Sequence, residues 1–222
     1  MGTFAPCWSG AHFLPCAMNI FWLAADIRDC AEAYSDKHVV KIILEICQML
    51  YTVHHLLDKY AFKDGYKATH TGHPMTRWVG TSPANYRKTV ELGLALCEEY
   101  TMRYGKTHAC QRRLQELKDK EPQAWGQWPE PKSKKSKKPV EDERMFAPLL
   151  GDSEVTPVPL CMPKEFHRAH DAVTSYRLYY QGAEKAGINV WRKRRGPPAW
   201  YHMPQEMRVA MRLKTAKRLK KK

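Results

Sequence analysis

The stretch Asp36–Tyr60, with the sequence DKHVVKIILEICQMLYTVHHLLDKY, determines the fold. Its apolar residues recur every three or four positions, which is the period of an α-helix. This apolar series consists of Val39, Ile43, Ile46, Leu50, Val53 and Leu57. Ser35 or Asp36 can cap the start of the helix. Because little of its surface is polar, we expect the helix to be buried on most sides.

The other recognisable elements are also helical. Ser82-Pro83 is a typical helix start that predicts a helix to about Tyr104, where Gly105 can end it in a left-handed conformation. We expect a loop over residues 61–74 and extended chain over residues 157–163. Further helices are expected at Thr107–Asp119, His170–Ala186 and Met203–Leu219. No long stretch alternates apolar and polar residues, so the predicted class is all-α.

Composition divides the chain into a compact helical domain with basic appendages. Residues 1–17 contain no charge and no periodicity and are expected to be an ill-ordered leader that need not belong to the native protein. Residues 18–120 form the expected helical core. Residues 121–156 hold a linker or insertion rich in Pro and Lys that we expect to be partly disordered. We expect residues 157–202 to complete the helical domain and residues 203–222 to form a basic helix or tail.

The charge indicates a polyanionic partner. The 222 residues carry 37 Lys and Arg against 23 Asp and Glu, a net charge of +14, and most of the excess follows residue 120. Such a surplus favours nucleic acid as the partner. The alternative is a solubility or nucleolar-type tail. The seven Cys residues include no CxxC pair, which favours reduced thiols in an intracellular protein that is not secreted. No run reaches the roughly 18 consecutive apolar residues of a membrane span, and no metal or cofactor motif is present.

A polar stripe on the main helix is the candidate catalytic site. On a helical wheel the stripe is about 100° wide, and it consists of His38, Lys41, Glu45, Gln48, Thr52 and His55. We interpret Glu45 as a general-base or electrostatic carboxylate, with His38 and Lys41 holding phosphate or orienting the substrate. The alternative is a solvated face with a Lys41–Glu45 ion pair.

Two other clusters belong to the predicted site. His70 and His73 precede Arg77 and Trp78, a pattern that suits a phosphate clamp beside a stacking ring. Metal binding by the two histidines is the alternative, but no carboxylate or Cys completes a recognised ligand spacing. On the following helix Glu98 and Glu99 point about 100° apart, so only one can enter a given cleft. Glu99 is expected to pair with Arg103, which leaves Glu98 as a candidate cleft residue together with Gln48 and His55.

Aromatic and basic residues interleave near the C-terminus, in the segments 176–180 and 191–201. This composition suits phosphate neutralisation and base stacking. Part of it must be structural, because Trp191 and Trp200 can anchor the segment on the helices. The predicted DNA-binding residues are Lys37, His70, His73, Arg77, Trp78, Arg177, Arg192, Lys193, Arg194 and Arg195.

These segments together resemble a family of small proteins of phages and large DNA viruses. The resemblance covers residues 18–120 and 157–201. It is carried by Asn19-Ile20-Phe21, Asp36–Lys41, Glu45, Gln48-Met49-Leu50, Thr69-His70, His73-Pro74, Leu96–His108, Tyr176-Arg177, Tyr179-Tyr180, Trp191, Arg194 and Pro198.

More distantly, the chain is similar to the phage pyrimidine-dimer DNA glycosylase of the endonuclease V type. The shared features are a helix with His and, seven residues later, a catalytic Glu, here His38 and Glu45, and the C-terminal segment Pro197–Tyr201. The resemblance implies a compact all-α fold, extrusion of a nucleotide from the stack and attack at the sugar C1′. It also implies that the partner is double-stranded DNA and that this is a viral protein acting in the host cytoplasm.

The chain departs from the glycosylase pattern in two respects. Leu44 and Gln48 stand where the glycosylase has Arg. The glycosylase uses its N-terminal amine as nucleophile, which here requires a start at Met18; Lys41 or Lys37 is the alternative. We therefore expect an enzyme of the pyrimidine-dimer or modified-pyrimidine DNA glycosylase type, with or without lyase activity. The alternatives are an enzyme that processes or hypermodifies pyrimidines in viral DNA, and a non-catalytic basic DNA-binding accessory protein.

Overall fold

The computed structural model describes residues 19–58, 62, 65–125, 146–203, 205, 206, 208 and 209. The predicted leader, the middle of the predicted insertion and most of the predicted basic tail lie outside the described residues. The helices are α1 (Ile27–Ala33), α2 (Asp36–Leu57), α3 (Pro74–Val79), α4 (Pro83–Tyr104), α5 (Gln111–Asp119), α6 (Ala172–Gln181) and α7 (Ala183–Ala186).

The predicted all-α class is confirmed. In the described part of the chain the strands are β1 (Phe146–Ala147) and β2 (Val158–Pro159), which pair antiparallel with Phe146 opposite Pro159. A 3₁₀ turn covers Lys164–Phe166. One hydrophobic cluster contains side chains from residues 20–117 and from residues 147–201, so the C-terminal segment shares the core of the helices.

Helix α2 is the centre of the fold. It packs against α3, α4 and α5, and most of its residues are buried. Among the described residues it alone has the length and mean hydropathy of a membrane span, but 67% of that window is buried inside the protein. The core helix of a folded domain has the same properties, so this feature does not by itself identify a membrane segment.

The helix starts and stops follow local side-chain chemistry. Ser82 accepts a hydrogen bond from the Asn85 amide at the start of α4, and Gly105 ends the helix with φ of 65°, as predicted. The helix predicted from Thr107 begins instead at Gln111, because the His108 ring accepts the Cys110 amide and holds a turn there. The main helix ends at Leu57, before the predicted Tyr60.

Two helices were not predicted, and one predicted helix is broken. Helix α1 is short, and α3 begins at Pro74 with the His73 ring accepting the Met75 amide. The helix predicted over His170–Ala186 begins at Ala172 and is interrupted at Gly182, which adopts an extended conformation. A Cβ at Gly182 would lie 2.8 Å from the Phe166 ring, so this close approach requires glycine.

A buried guanidinium joins the helices at the start of α2. The Arg103 side chain is fully buried; it donates to Glu99 at 2.6 Å, to the main-chain oxygens of Tyr34 and Glu32 at 2.8 and 3.0 Å, and to Asp36 at 3.2 Å. Three of these hydrogen bonds, to Tyr34, Glu32 and Asp36, therefore connect α4 to the corner between α1 and α2. The predicted pairing of Glu99 with Arg103 is confirmed.

Replacing Arg103 by Ala should strongly destabilise the protein, because it leaves the buried Glu99 carboxylate with Arg195 alone and removes the donor of the buried Tyr34 main-chain oxygen. We expect a loss of about 3–5 kcal/mol in the free energy of unfolding, measured by urea denaturation. Arg112→Ala is the control: its ion pair with Glu116 is 3.8 Å long and exposed, and its loss should cost less than about 1 kcal/mol. Equal losses in the two variants would contradict this role of Arg103.

Candidate active site

The polar stripe on α2 is not a solvated face. His38, Glu45 and Thr52 are buried, Gln48 and His55 are half-buried, and Lys41 is exposed. The stripe divides into an upper part, which consists of His38, Lys41 and Glu45, and a lower part, Thr52 and His55, which binds a neighbouring loop. The two parts have different partners and therefore different roles.

Glu45 is a nearly buried carboxylate with two defined partners. Its side chain is 7% exposed. One oxygen accepts the main-chain N–H of Asn19 at 3.1 Å, and the other lies 2.8 Å from the Lys41 ammonium. The chain segment that begins the described structure therefore passes directly over the carboxylate. The Lys41–Glu45 ion pair of the alternative interpretation is present, but only the lysine faces solvent.

The surroundings of Glu45 raise the pKa of its carboxyl group. Burial is the largest cause, and it is opposed by the ion pair and hydrogen bond with Lys41, by the Asn19 amide and by the charge of Lys185. A carboxyl group with a raised pKa accepts a proton more readily than one in water. This is the property that general acid–base chemistry requires.

His38 is held by two hydroxyl groups. Its Nδ1 atom lies 2.6 Å from the Tyr180 hydroxyl and 3.1 Å from that of Ser35, and its ring packs 5.0 Å from the Phe21 ring. Burial, followed by the charges of Lys185, Lys41 and Lys37, lowers the pKa of His38 to about 3. The imidazole is therefore neutral near pH 7.

This geometry does not fit the predicted phosphate contact at His38. A neutral, buried ring offers no positive charge to a phosphate, and its Nδ1 atom is already paired. The Tyr180 hydroxyl also accepts the Ser35 amide at 2.9 Å, which fastens α6 to the start of α2. His38 is thus a positioning residue that fixes the helix carrying Lys41 and Glu45.

Lys185 joins the site from α7. Its ammonium lies 5.3 Å from the centre of the Phe21 ring and 5.0 Å from that of Tyr179. Its charge acts on both His38 and Glu45. Ring faces attract a cation and hold it in place. The carboxylate of Glu45 is therefore surrounded by more positive than negative charge.

The lower part of the stripe is structural. The Thr52 hydroxyl accepts the Thr69 amide at 3.1 Å, and the His55 ring bonds to the Tyr66 main-chain oxygen at 2.9 Å. These contacts hold the loop before α3 against α2. The His55 ring therefore serves to bind the loop. Gln48 is half-buried between the two parts of the stripe.

The predicted second cluster is mostly structural as well. The His73 ring caps α3, and burial lowers its pKa to about 4. Trp78 is buried, donates to the Thr156 main-chain oxygen at 3.1 Å and packs against Trp22, so the prediction that it stacks on DNA bases is wrong. His70 is exposed and Arg77 is half-buried, so both remain available at the surface.

The predicted basic residues of the C-terminal segment differ in availability. Arg177 donates to the Leu23 main-chain oxygen at 2.7 Å and stacks over Trp200, and Arg195 pairs with Glu99 and Glu32. These two guanidinium groups stabilise the fold and are not free phosphate ligands. The exposed basic residues of the predicted set are Lys37, Arg192, Lys193 and Arg194.

The predicted cleft residue Glu98 is exposed on α4, whereas Glu99 is buried with Arg103 and Arg195. The predicted anchoring role of the C-terminal tryptophans is confirmed: Trp191 donates to the Ala33 main-chain oxygen, and both rings pack against Tyr180. Within the described residues, no group of three or more His, Cys, Asp or Glu side chains is arranged to hold a metal ion.

Sequence reasoning missed Asn19, Lys185 and Tyr180 as parts of this site. The contacts of Asn19 with Glu45 and of Tyr180 with His38 join positions 26 and 142 residues apart, respectively. No local spacing predicts them. No family model, curated protein or solved structure matches this chain, so the site is interpreted from its own geometry.

Replacing His38 by Gln should reduce the loss of stability in mild acid. Below pH 6.5 the unfolded chain protonates His38 while the folded chain, with a pKa of about 3, does not. Wild-type stability should therefore fall as the pH decreases through this window, by up to about 1.4 kcal/mol per pH unit from this group. The stability difference between wild type and His38→Gln should narrow between pH 7 and pH 5 in urea titrations.

The control for this measurement is His170→Gln, at an exposed histidine. Its stability curve should follow that of the wild type at each pH. Parallel curves for wild type and His38→Gln would contradict a neutral, buried His38.

Proposed function

We propose that this chain is a DNA-acting enzyme of the DNA glycosylase type, with Glu45 as the carboxylate at the reacting sugar. The observation that carries the proposal is the placement of Glu45: it is buried, its pKa is raised, and it is bonded to Lys41, which is 59% exposed. A buried carboxyl group next to a solvent-facing amine is typical of acid–base and covalent chemistry.

The electrostatics favour a phosphate-bearing substrate. Three positive charges act on the buried His38 and lower its pKa. They belong to Lys185, Lys41 and Lys37. The whole chain carries a net charge of +14. Basic surfaces of this kind bind DNA through its phosphates, without regard to sequence. The phosphates would lie on the exposed lysines, and the sugar would face Glu45.

The chemistry suited to Glu45 is cleavage of the N-glycosidic bond. As the bond breaks, its electron pair leaves with the base, and positive charge develops on the sugar, which a nearby carboxylate stabilises. Water then forms the new bond at C1′. Glu45 accepts the proton that this water loses, and the departing base takes up a proton. The products are a free base and an abasic site.

A covalent variant would use an amine in place of water. In the glycosylase that the sequence resembles, the nucleophile is an N-terminal amine. Here the nitrogen beside Glu45 is the Asn19 amide, whose lone pair is delocalised and not nucleophilic. Lys41 is the alternative, because its amine lies 2.8 Å from the same carboxylate. The Lys41 amine would attack C1′, and the base would depart with the electron pair of its bond and take up one amine proton. Cleavage of the C1′–O4′ bond, with the second amine proton passing to O4′, would then give a Schiff base that borohydride can reduce.

The burial of the stripe favours an enzyme over a non-catalytic DNA-binding protein. A purely electrostatic DNA surface would leave His38 and Glu45 in solvent, whereas both are at most 5% exposed. An enzyme that modifies pyrimidines on the same fold would use the same carboxylate. It would differ by not releasing the base, which the following experiment measures.

Base release should depend on Glu45. Duplexes containing a thymine dimer or a modified thymine are incubated with the full chain, and free base is measured by chromatography. For the dimer this follows photoreversal, because the cleaved base otherwise stays linked to its neighbour. We expect release from at least one duplex, and a loss of at least about 100-fold in rate for Glu45→Gln. Glu98→Gln, at an exposed carboxylate on α4, is the matched control and should retain the wild-type rate.

Borohydride trapping on an abasic-site duplex identifies the nucleophile. An adduct that disappears in Lys41→Met assigns the amine to Lys41, and base release without an adduct assigns the attack to water. Tight DNA binding with neither release nor adduct on any duplex would contradict the proposal and favour a base-modifying or accessory role.

A further inference from the structure

A second concave site lies on the C-terminal segment. It is a pocket of about 340 Å³, and Val190, Trp191, Pro197 and Met203 form its apolar walls. This volume lies within the range of pockets that hold small organic molecules. None of the residues around Glu45 lines it. The pocket is therefore separate from the candidate active site.

The aromatic walls of the pocket are held rigidly. The rings of Trp191 and Tyr201 lie 4.5 Å apart, and Trp191 is fixed by its hydrogen bond to Ala33. Rigid aromatic surfaces bind flat rings well, because little conformational entropy is lost. The pocket is thus suited to a planar, aromatic group.

Two buried polar residues, Asn189 and Tyr201, belong to the wall of the pocket. Asn189 and Tyr201 are at most 9% exposed, and neither the Asn189 side-chain oxygen nor the Tyr201 hydroxyl has a hydrogen-bond partner among the described residues. Burial raises the pKa of the Tyr201 hydroxyl, and the neighbouring Asn189 side chain partly opposes this shift. Both atoms are covered from solvent, so recognition of a ligand in the pocket depends on its aromatic and apolar surface and on the charged groups at its edge.

Two guanidinium groups complete the pocket. Arg192 and Arg208 line it and are exposed at its rim, where Arg208 donates through Nε to the Met203 main-chain oxygen. Arg192 is continuous with Lys193 and Arg194 on a basic surface. Guanidinium groups bind phosphate oxygens in a fixed, bidentate geometry. The ligand is therefore expected to carry phosphate next to its aromatic ring.

We infer that this pocket binds one nucleotide unit of a DNA strand, with its base against Trp191 and its phosphate on Arg192 and Arg208. The inference rests on the proposed function for the choice of DNA as ligand. It adds a binding site outside the catalytic one. Tyr180 connects the two sites: its hydroxyl bonds to His38, while its main-chain oxygen accepts a hydrogen bond from the Asn189 side-chain Nδ2 at 2.7 Å.

The test compares single strands with and without bases. Binding of a fluorescently labelled eight-nucleotide oligothymidylate and of an abasic strand of the same length is measured by anisotropy, with the full chain carrying Glu45→Gln to prevent reaction. We expect the strand with bases to bind about tenfold more tightly, because a stacked base contributes that order of affinity. Met203→Trp, which fills the pocket, should remove this preference and leave abasic-strand binding unchanged.

A matched pair of double variants separates the pocket from general electrostatics. Arg192→Gln with Arg208→Gln removes two charges from the pocket, and Lys193→Gln with Arg194→Gln removes two charges beside it. We expect the first pair to weaken binding of the oligothymidylate by about tenfold, and the second by less than about threefold. Equal weakening by both pairs, or equal affinity for the strands with and without bases, would overturn the inference.

Two further readouts keep the conclusions distinct. Displacement of the strand by thymidine monophosphate at equal concentration would identify a free nucleotide as the ligand and overturn the assignment to a strand. If no base is released but the pocket variants behave as expected, the proposed chemistry is contradicted and the pocket assignment is supported. If release occurs and the variants do not differ, the pocket alone is contradicted. If Met203→Trp does not fold, the comparison of the two double variants, all at exposed positions, decides the outcome.

Discussion

The structure depends on a buried charge that cannot be solvated by water. The Arg103 guanidinium is fully buried, and its hydrogen bonds fix the end of α1, the start of α2 and the acidic side of α4 relative to one another. The same acidic groups also bind the C-terminal segment, because Glu99 pairs with Arg195 and Asp36 accepts the Arg192 amide. An ion left without partners at this depth would cost several kcal/mol. The arrangement of α1, α2 and α4 at this corner is therefore fixed by the need to pair every buried charge.

The candidate site is a consequence of this corner. With the start of α2 fixed, the Tyr180 hydroxyl reaches His38 and Ser35, and the rings of Phe21 and Tyr179 hold the Lys185 ammonium nearby. Along α2, Lys41 lies about one turn after His38 and Glu45 about two turns after it. A helix that is buried on nearly all sides can keep a carboxylate in place only if its partners are supplied, and here these partners are the Asn19 amide and Lys41. The site combines a buried carboxylate with a solvent-facing amine.

Local features were predictable from the sequence, and distant contacts were not. The periodicity of α2, the Ser82 and Gly105 ends of α4 and the Glu99–Arg103 pair all follow from residues within a few positions of each other. The start of α3 has the same kind of signal, a capping side chain before proline, and the same reasoning could have found it. The roles of Trp78 and Arg177 could not be foreseen, because a tryptophan or arginine in a basic sequence suits DNA as well as it suits the core. Their partners, Thr156 and Leu23, lie 78 and 154 residues away in sequence.

The central claim is that Glu45 is a buried carboxyl group poised for proton transfer beside Lys41. It is tested most directly by a carbon-13 NMR titration of the Glu45 carboxyl group in the wild type and in Lys41→Met. The wild-type pKa should lie above the ordinary value of 4.5, because burial outweighs the positive partners. It should rise further in Lys41→Met, because that ammonium lowers it. A pKa at or below 4.5 that does not change in Lys41→Met would contradict the account.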